Sequence, residues 1–242
     1  MAENSPFIKN LASSDKEIRD NALDSLRTYL GGRSEISELD LLKLWKGLFY
    51  CLWMQDKPAL QQRLSRDLAS LVSTLRSGVA LPFIRAFFLT MAREWTNIEA
   101  LRLDKYLYLI RQYMNASFQH LAAKKWKSSV LEEFNEIMEE TPLNPTNMKV
   151  PNGLRYHVLD VWVDELEKVN SNWEDEKKQK VLETLVQPLE KLAKESSLKV
   201  VREAAKETLA EDTLRKWRGQ EDEVMAEPEV EDEDDGWGGF ED

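Results

Sequence analysis

The sequence predicts an all-α fold, a curved solenoid of roughly ten helices arranged in HEAT- or armadillo-like pairs. Only 9 of the 242 residues are glycine and 8 are proline, and the alternating pattern of β strands is nearly absent. Apolar residues instead recur at spacings of three and four, as they do in helices that pack on one face. Stacked helix pairs accommodate this many helices better than one compact bundle does.

The two ends of the chain carry the clearest sign of a repeat. Residues 18–26 follow the pattern IRxxAxxxL, and residues 201–209 follow VRxxAxxxL. The pattern resembles the second helix of HEAT and armadillo repeats, where a small alanine lets neighbouring helices approach closely. Because two matches do not prove a regular array, two ordinary amphipathic helices remain the alternative interpretation.

Helix starts are indicated by capping residues and prolines. Ser14 and Thr96 each stand three residues before a glutamate, a spacing that predicts capping boxes. Pro58 and Pro82 suit the first turn of a helix, where proline is tolerated. Pro188 lies inside a helical pattern, and we expect it to kink or split that helix.

Residues 39–54 (LDLLKLWKGLFYCLWM) are the most apolar segment of the chain. In a helix, only Lys43, Lys46 and Tyr50 would share a solvent-facing side, so we predict a core helix with a narrow basic strip. The segment is too short and too charged to span a bilayer.

Residues 1–219 are predicted to form a single helical-repeat domain. Its sub-blocks, 1–140 and 152–219, are joined by a proline-rich loop at 141–153, which holds three of the prolines. Residues 220–242 contain 12 acidic residues and no basic one, and we expect a disordered acidic tail. Trp237 and Phe240 are candidate partner-docking residues in it, although a merely solubilising tail is an equally good interpretation.

Composition excludes several classes of function. Cys51 is the only cysteine, so no internal disulfide can form and a reducing compartment fits. The amino terminus lacks the regions of a signal peptide, and we expect an intracellular protein without membrane contact. The two histidines, His120 and His157, have no metal-binding or nucleophile spacing, and no glycine-rich phosphate loop occurs. We predict no catalytic residues, no cofactor, no metal and no small-molecule substrate.

Charge is distributed unevenly along the chain. Residues 41–130 hold 14 basic and 5 acidic residues, whereas residues 1–40 hold 5 and 8, and residues 131–219 hold 14 and 19. In a solenoid, equivalent faces of successive helices lie side by side, so these basic residues could form one exposed strip. Such a strip suits structured RNA, which is bound largely through its shape and phosphates.

We predict RNA contacts from the basic residues of this middle segment, with Trp126 and Tyr50 placed to stack on an unpaired base. Reversing charges in the strip should then leave stability nearly unchanged. The alternative is that these charges only solvate their helices or pair with acidic neighbours. The candidate RNA-binding residues are Lys43, Lys46, Lys57, Arg63, Arg66, Arg85, Arg93, Arg102, Lys105, Arg111, Lys124, Lys125 and Lys127, and Arg76 adds a further charge.

Three sequence blocks carry a family resemblance. Residues 38–58 (ELDLLKLWKGLFYCLWMQDKP), 93–118 (REWTNIEALRLDKYLYLIRQYMNASF) and 152–166 (NGLRYHVLDVWVDEL) resemble the eukaryotic nucleolar ribosomal-RNA-processing protein one family, in the order of that family. Together with residues 13–30 they cover most of residues 5–170.

The resemblance implies a non-catalytic assembly factor of the large ribosomal subunit precursor, located in the nucleus and nucleolus. Its implied partners are precursor ribosomal RNA, other large-subunit assembly factors and ribosomal proteins, and its implied role is a scaffold needed for ribosomal RNA processing. The alternative function is a superhelical membrane-traffic adaptor that binds acidic lipids and coat proteins.

Overall fold

The computed structural model describes residues 6–220 apart from 12, 14 and 174, and this part of the chain contains helices but no strand. The helices are α1 (Pro6–Leu11), α2 (Lys16–Gly31), α3 (Glu38–Trp53), α4 (Pro58–Thr74), α5 (Ser77–Glu94), α6 (Leu103–Ala123), α7 (Ser128–Glu140), α8 (Asn152–Val169), α9 (Glu176–Glu195), α10 (Lys199–Leu209) and α11 (Asp212–Trp217). Two 3-10 turns, Trp95–Asn97 and Ala100–Arg102, connect α5 to α6.

The helices alternate between two layers. The odd-numbered helices α1 to α9 pack on one another in chain order, and the even-numbered helices α2 to α10 do the same. Each helix pair therefore adds one unit to a stack, which is the architecture of a helical solenoid. The all-α solenoid prediction is confirmed.

The two matching motifs have a common structural basis. In α2, the Arg19 guanidinium donates to the Ser13 carbonyl at 2.7 Å. In α10, Arg202 donates to the Ser196 carbonyl, again six residues earlier, at 2.6 Å. The alanine three residues after each arginine is buried. In both places the arginine ties the first turn of the helix to the segment that precedes it.

Of the three prolines expected to start or interrupt a helix, only Pro58 does so. Pro58 stands at the first position of α4, as expected. Pro82, however, lies inside α5, which already begins at Ser77. Pro188 lies inside α9, and the helix continues through it, so the predicted split is wrong. Proline leaves the carbonyl four residues earlier without its helical donor, and here Asn135 of α7 donates its amide to that Thr184 carbonyl at 2.6 Å.

The capping prediction fails at the start of α6. Thr96 lies in a 3-10 turn, and α6 begins only at Leu103, without a side-chain cap, because the two 3-10 turns occupy residues 95–102. At the start of α2 the capping residue is Asp15, whose carboxylate accepts from the backbone of Glu17 and Ile18. The predicted cap at position 14 lies outside the described residues.

A single hydrophobic core runs from Leu11 to Trp217. Its aromatic centre is Trp45, whose ring lies 4.9–5.0 Å from those of Phe83, Phe87 and Tyr113. Cys51 is buried in the same core, and burial raises the pKa of its thiol to about 12, so the thiol stays protonated. The division at residues 141–153 remains a prediction, since the core does not by itself define sub-blocks.

The loop between α7 and α8 is organised by one buried arginine. Arg155 is only 3% exposed. Its guanidinium donates to the carbonyls of Asn144 at 2.8 Å, Asn147 at 2.7 Å and Val150, and to the Asn152 side chain at 2.7 Å. These bonds satisfy backbone groups that have no helix or strand to pair with. The proline-rich segment is therefore an ordered connection.

Candidate nucleic-acid interface

Two of the predicted RNA-binding arginines join neighbouring helices of one layer. Arg63 on α4 pairs with Asp20 on α2 at 2.8 Å. Arg85 on α5 pairs with Glu38 on α3 at 2.8 Å and with Glu140 on α7 at 2.5 Å. Successive helices lie side by side, as the sequence predicts. This placement brings carboxylates, and not only cations, next to Arg63 and Arg85. These two arginines are neutralised by their neighbours.

Arg111 has a similar structural role between α6 and α8. Its guanidinium pairs with Asp164 at 2.6 Å and with Glu165 at 2.5 Å. Glu165 is 2% exposed, and Lys168 pairs with the same carboxylate. A carboxylate removed from water needs such partners. Arg111 therefore belongs to the packing of the two helices.

Arg102 and Lys105 cap the carboxyl end of α3. Lys105 is 6% exposed, and its ammonium donates to the carbonyls of Trp53 at 2.8 Å and Gln55 at 2.9 Å. Arg102 donates to the same Trp53 carbonyl at 2.9 Å and lies 5.0 Å from the ring centre of Trp53. The last carbonyls of a helix lack partners within it and attract cations. The expectation that Lys105 faces solvent is wrong.

The buried position of Lys105 also changes its titration. Burial, and then the nearby Arg102 charge, lower the pKa of Lys105 to about 8. The ammonium is still protonated at neutral pH and serves the α3 carbonyls as a charged donor.

The next four candidates lie at three separate places, on α3, just before α4 and near the end of α5. Lys43 and Lys46 are on α3, with Lys43 3.9 Å from Asp40. Lys57 is exposed just before α4. Arg93, near the end of α5, pairs with the adjacent Glu94 at 2.8 Å. These positions do not extend the surface formed by the remaining candidates.

The remaining lysines, together with two arginines, lie along one edge of the solenoid, where each even helix turns into the next odd helix. Arg76 donates to the Gly31 carbonyl at 3.3 Å and so joins the α4–α5 turn to the α2–α3 loop. Lys124 donates to the Ser77 hydroxyl at 2.8 Å and joins the α6–α7 loop to the same turn. Three successive loops are thereby linked. We define the basic edge as Arg33, Arg76, Lys124, Lys125 and Lys127.

The charges of the basic edge are not neutralised by the described part of the chain. Arg33, Lys125 and Lys127 are exposed, and Arg33 packs on the Tyr29 ring at 4.4 Å. Arg76 and Lys124 bond only to neutral oxygens, a carbonyl and a hydroxyl. None of the five forms an ion pair with a described carboxylate. Arg33 was absent from the sequence candidates because it lies in the acidic first 40 residues, and only the stacking of loops brings it here.

The α6–α7 loop holds two of these lysines in a defined position. Lys125 and Trp126 have φ angles of 54° and 55°, a left-handed conformation that costs about 1–3 kcal/mol per non-glycine residue. The Trp126 ring lies 5.5 Å from Trp173, which is buried in the core, and this contact holds the loop. Trp126 thus packs inward and is poorly placed to stack on a base, whereas Tyr50 remains exposed on α3.

A groove of about 500 Å³ lies between α4 and α6 and opens at the basic edge, because Lys124 belongs to both. His120 in its wall is 7% exposed, and burial, followed by the nearby Lys124 charge, lowers the pKa of its imidazole. The lining contains no acidic residue. It consists of Arg66, Ala69, Ser70, Ser73, Leu75, Gln112, Asn115, Ala116, Gln119, His120, Ala123 and Lys124.

Two other grooves of the described chain have the opposite character. A groove of about 640 Å³ between α6, α8 and α10 is lined by three carboxylates, those of Asp160, Glu207 and Glu211. A groove of about 410 Å³ between α3, α5 and α7 is lined by five, those of Glu35, Glu38, Glu133, Glu136 and Glu140. The basic edge and the α4–α6 groove therefore present positive charge without carboxylates, whereas these two grooves are lined by several carboxylates.

The described residues contain neither a metal-binding cluster nor a membrane-spanning helix. Among the described residues, no group of three histidine, cysteine or acidic side chains is arranged to hold a metal ion. The described helices include none with the length and apolar character needed to cross a membrane. The candidate docking residues Trp237 and Phe240, and the predicted disorder of the tail, lie outside the described residues.

The family profile described as "Nucleolar protein, Nop52" matches residues 2–239. The chain belongs to this family. The match confirms the resemblance carried by the three sequence blocks and extends beyond them into the acidic tail. Because this is a family of nucleolar proteins, the expected nucleolar location is confirmed.

The chain is also similar to ribosomal RNA processing proteins of animals. The chain is 43% identical over 169 residues to ribosomal RNA processing protein 1 homolog B of Homo sapiens, covering 67% of this chain and 22% of that protein. It is 39% identical over 169 residues to homolog A of Homo sapiens, covering 67% and 36%. It is 31% identical over 174 residues to the Drosophila melanogaster homolog, covering 69% and 25%. The chain thus matches about a fifth to a third of the length of these relatives.

Proposed function

We propose that this Nop52-family chain acts in ribosomal RNA processing as a non-catalytic assembly factor of the large ribosomal subunit precursor. In this role it holds precursor ribosomal RNA at the basic edge, while other large-subunit assembly factors and ribosomal proteins bind its remaining faces. The observation that supports RNA binding most directly is the set of five cations on three linked loops without a described carboxylate partner.

The proposed mechanism is selection of one RNA shape by a rigid charged edge. Hydrogen bonds between loops fix the positions of Arg76 and Lys124, and the core contact of Trp126 fixes the two lysines that flank it. Such charges displace the counterions that are condensed on the RNA when they bind its phosphates. An RNA fold whose phosphates match the edge gains more contacts than a competing fold, so it becomes more populated. No peptide or RNA bond is made or broken in this role.

The observations favour a role in ribosomal RNA processing over the alternative of a membrane-traffic adaptor. The relatives are ribosomal RNA processing proteins by name, and no described feature favours a lipid surface over RNA.

The test compares two charge-reversal variants of equal net charge. Lys125→Glu/Lys127→Glu changes the basic edge, whereas Lys57→Glu/Lys149→Glu changes two exposed lysines elsewhere. Binding of precursor ribosomal RNA fragments is measured by fluorescence anisotropy over a range of salt concentrations. Because each lost phosphate contact lowers the salt slope by about 0.7–0.9, we expect weaker binding, on the order of tenfold, and a shallower slope for the edge variant alone.

The same two variants, tagged in cells, are followed through sucrose gradients. The edge variant should leave the large-subunit precursor fractions, and the control variant should remain in them. Equal losses for both variants, or none for either, would contradict RNA binding at the basic edge.

A further inference from the structure

We propose that the α4–α6 groove binds unpaired RNA, so that this chain recognises a single-stranded segment next to the RNA held by the basic edge. The inference rests on the proposed function and adds the class of RNA that the site takes. It is supported by a histidine of the groove wall that bonds to no described residue, by cations at both ends of the groove, and by a lining of neutral hydrogen-bonding side chains.

The groove has a positive charge at each end. At one end the Arg66 guanidinium donates to the Tyr108 hydroxyl at 3.0 Å. At the other end, Lys124 donates to the Ser77 hydroxyl at 2.8 Å. Along α6, the lining runs from Gln112 to Lys124, about 18 Å at 1.5 Å per residue. Because both cations are held by neutral oxygens, their charge remains available to the phosphates of an extended strand.

His120 is the side chain that most directly indicates a ligand. It is more than nine-tenths buried, it lines the groove, and it makes no hydrogen bond to the described residues. Among the described residues, the enclosed side-chain nitrogens and oxygens without a partner belong to Thr90, Asn135 and Trp162, so the ring nitrogens of His120 are open to the groove and can bond to a ligand there. Burial lowers the pKa of His120, and the neutral imidazole then offers one donor and one acceptor. The polar edge of a nucleobase offers the same combination.

The neutral side chains around His120 suit base edges as well. Gln112 is half-buried and its amide bonds to no described group. Gln119 donates to Asn115 at 2.8 Å, which leaves further donor and acceptor positions on both amides. Amide side chains pair with base edges in nucleic-acid complexes. The absence of carboxylates from this lining keeps repulsion of a phosphate chain low.

Geometry favours a single strand over a duplex. The space between two neighbouring helices, about 500 Å³, is too small for an A-form helix. Paired bases in such a helix show their edges either in a deep major groove that side chains do not enter or in a wide, shallow minor groove, which the wall of a narrow cleft does not reach. His120, in the wall of a narrow groove, can therefore reach only a base that has left its pair. An acidic peptide could form ion pairs with Arg66 and Lys124, but its carboxylates would form fewer hydrogen bonds with the amide side chains of the lining than a nucleobase does.

The first experiment uses the two histidines as internal reporters. The chain has only His120 and His157, and the second is bonded to the Leu107 carbonyl at 2.8 Å. Carbon–proton NMR spectra of the imidazoles are recorded during titration with a mixed-sequence RNA oligonucleotide, with the same RNA as a duplex, and with poly-glutamate. We expect the single strand to shift the His120 resonance until saturation while His157 stays fixed.

The outcomes separate the classes of ligand. A duplex that binds without shifting His120 supports the inference. An equal shift by duplex RNA, or a shift caused only by poly-glutamate, overturns it. Bound single-stranded RNA that leaves the His120 resonance unchanged also overturns it.

The second experiment compares two matched glutamine variants. Gln112→Glu adds a negative charge to the groove, and Gln62→Glu adds the same charge to an exposed position of α4 outside the lining. Because a lost base contact is worth about tenfold in affinity, we expect Gln112→Glu to lower single-strand affinity by about that factor while duplex affinity stays unchanged. Gln62→Glu should affect neither.

These variants also distinguish the two proposals. If Lys125→Glu/Lys127→Glu removes RNA binding but Gln112→Glu leaves the preference for single strands intact, the groove inference is wrong and RNA binding at the basic edge stands. If neither variant changes RNA binding, both proposals are wrong.

Discussion

At the residue scale, single polar side chains complete the backbone hydrogen bonding of this solenoid. Asn135 donates to the carbonyl that Pro188 leaves without a helical donor. Lys105 donates to the last carbonyl of α3, that of Trp53, and to the Gln55 carbonyl just beyond it. Arg155 donates to carbonyls of the α7–α8 loop. Unsatisfied backbone groups are costly when buried. Replacing any one of these side chains should therefore lower the free energy of unfolding.

Arg155 gives the sharpest test at this scale. Arg155→Ala should lower the free energy of unfolding by about 3 kcal/mol, because it leaves several buried carbonyls without donors. Arg155→Lys should recover only part of this loss, since one ammonium cannot reproduce the planar fork of a guanidinium. The measurement is urea unfolding followed by circular dichroism.

The matched control is Lys149→Ala, which removes an exposed cation from the same loop and should change stability by less than about 0.5 kcal/mol. If Arg155→Lys were as stable as the wild type, the hydrogen bonds of the guanidinium would not be what orders this loop.

At the element scale, ion pairs connect successive helices within each layer. Arg63 joins α4 to α2, Arg111 joins α6 to α8, and Lys191 joins α9 to Glu139 of α7. Exposed pairs of this kind contribute little stability. The Arg111 pair differs because Glu165 is buried, so its loss leaves an uncompensated charge.

Arg111→Glu should destabilise the protein by about 3–5 kcal/mol, because it places a second negative charge beside the buried Glu165. This reverses the expectation from sequence that charge changes in the basic middle leave stability unchanged. Thermal unfolding, compared with Lys127→Glu on the exposed α6–α7 loop, provides the measurement. Similar melting temperatures for the two variants would show that Glu165 does not depend on Arg111.

The apolar periodicity of a helix does not predict where that helix begins or ends. The apolar spacing of three and four predicts that the chain forms helices, because a buried stripe is a property of one helix alone. It did not predict that α5 begins before Pro82 or that α9 continues through Pro188. Those outcomes depend on which neighbouring helix supplies a donor or a packing surface.

At the scale of the whole molecule, the acidic tail starts close to the basic edge. The Trp217 ring lies 6.1 Å from the Trp173 ring, which lies 5.5 Å from the Trp126 ring. In the sequence, Trp126 stands between Lys125 and Lys127 of the basic edge. Three residues after Trp217, at Gln220, the described chain ends, and residues 221–242 hold 12 acidic residues. If the basic edge binds RNA as proposed, we expect this negatively charged segment to lower the positive potential there.

Deleting residues 221–242 should therefore raise RNA affinity at low salt, and the gain should shrink as salt screens the charges. Fluorescence anisotropy at several salt concentrations measures both effects. A full-length control in which the 12 carboxylates of this segment are replaced by amides should behave like the deletion. If that control bound RNA like the wild type while the deletion bound more tightly, the effect would not be electrostatic.

The sequence by itself determined the helical class, the repeated motif of α2 and α10, the concentration of positive charge in the middle of the chain, and the family. These properties follow from local periodicity and from residue types, which need no knowledge of neighbours in space. Of the predicted RNA-binding residues, Lys124, Lys125 and Lys127 lie on the basic edge and Arg66 lies in the adjoining groove.

Only the tertiary structure decided which cations remain available. It placed carboxylates beside Arg63, Arg85 and Arg111, buried Lys105, and brought Arg33 from an acidic segment to the same edge as Lys124. The reason is physical. A charge acts through the neighbours within a few ångströms of it, and in a solenoid those neighbours come from helices some 40–55 residues away along the chain.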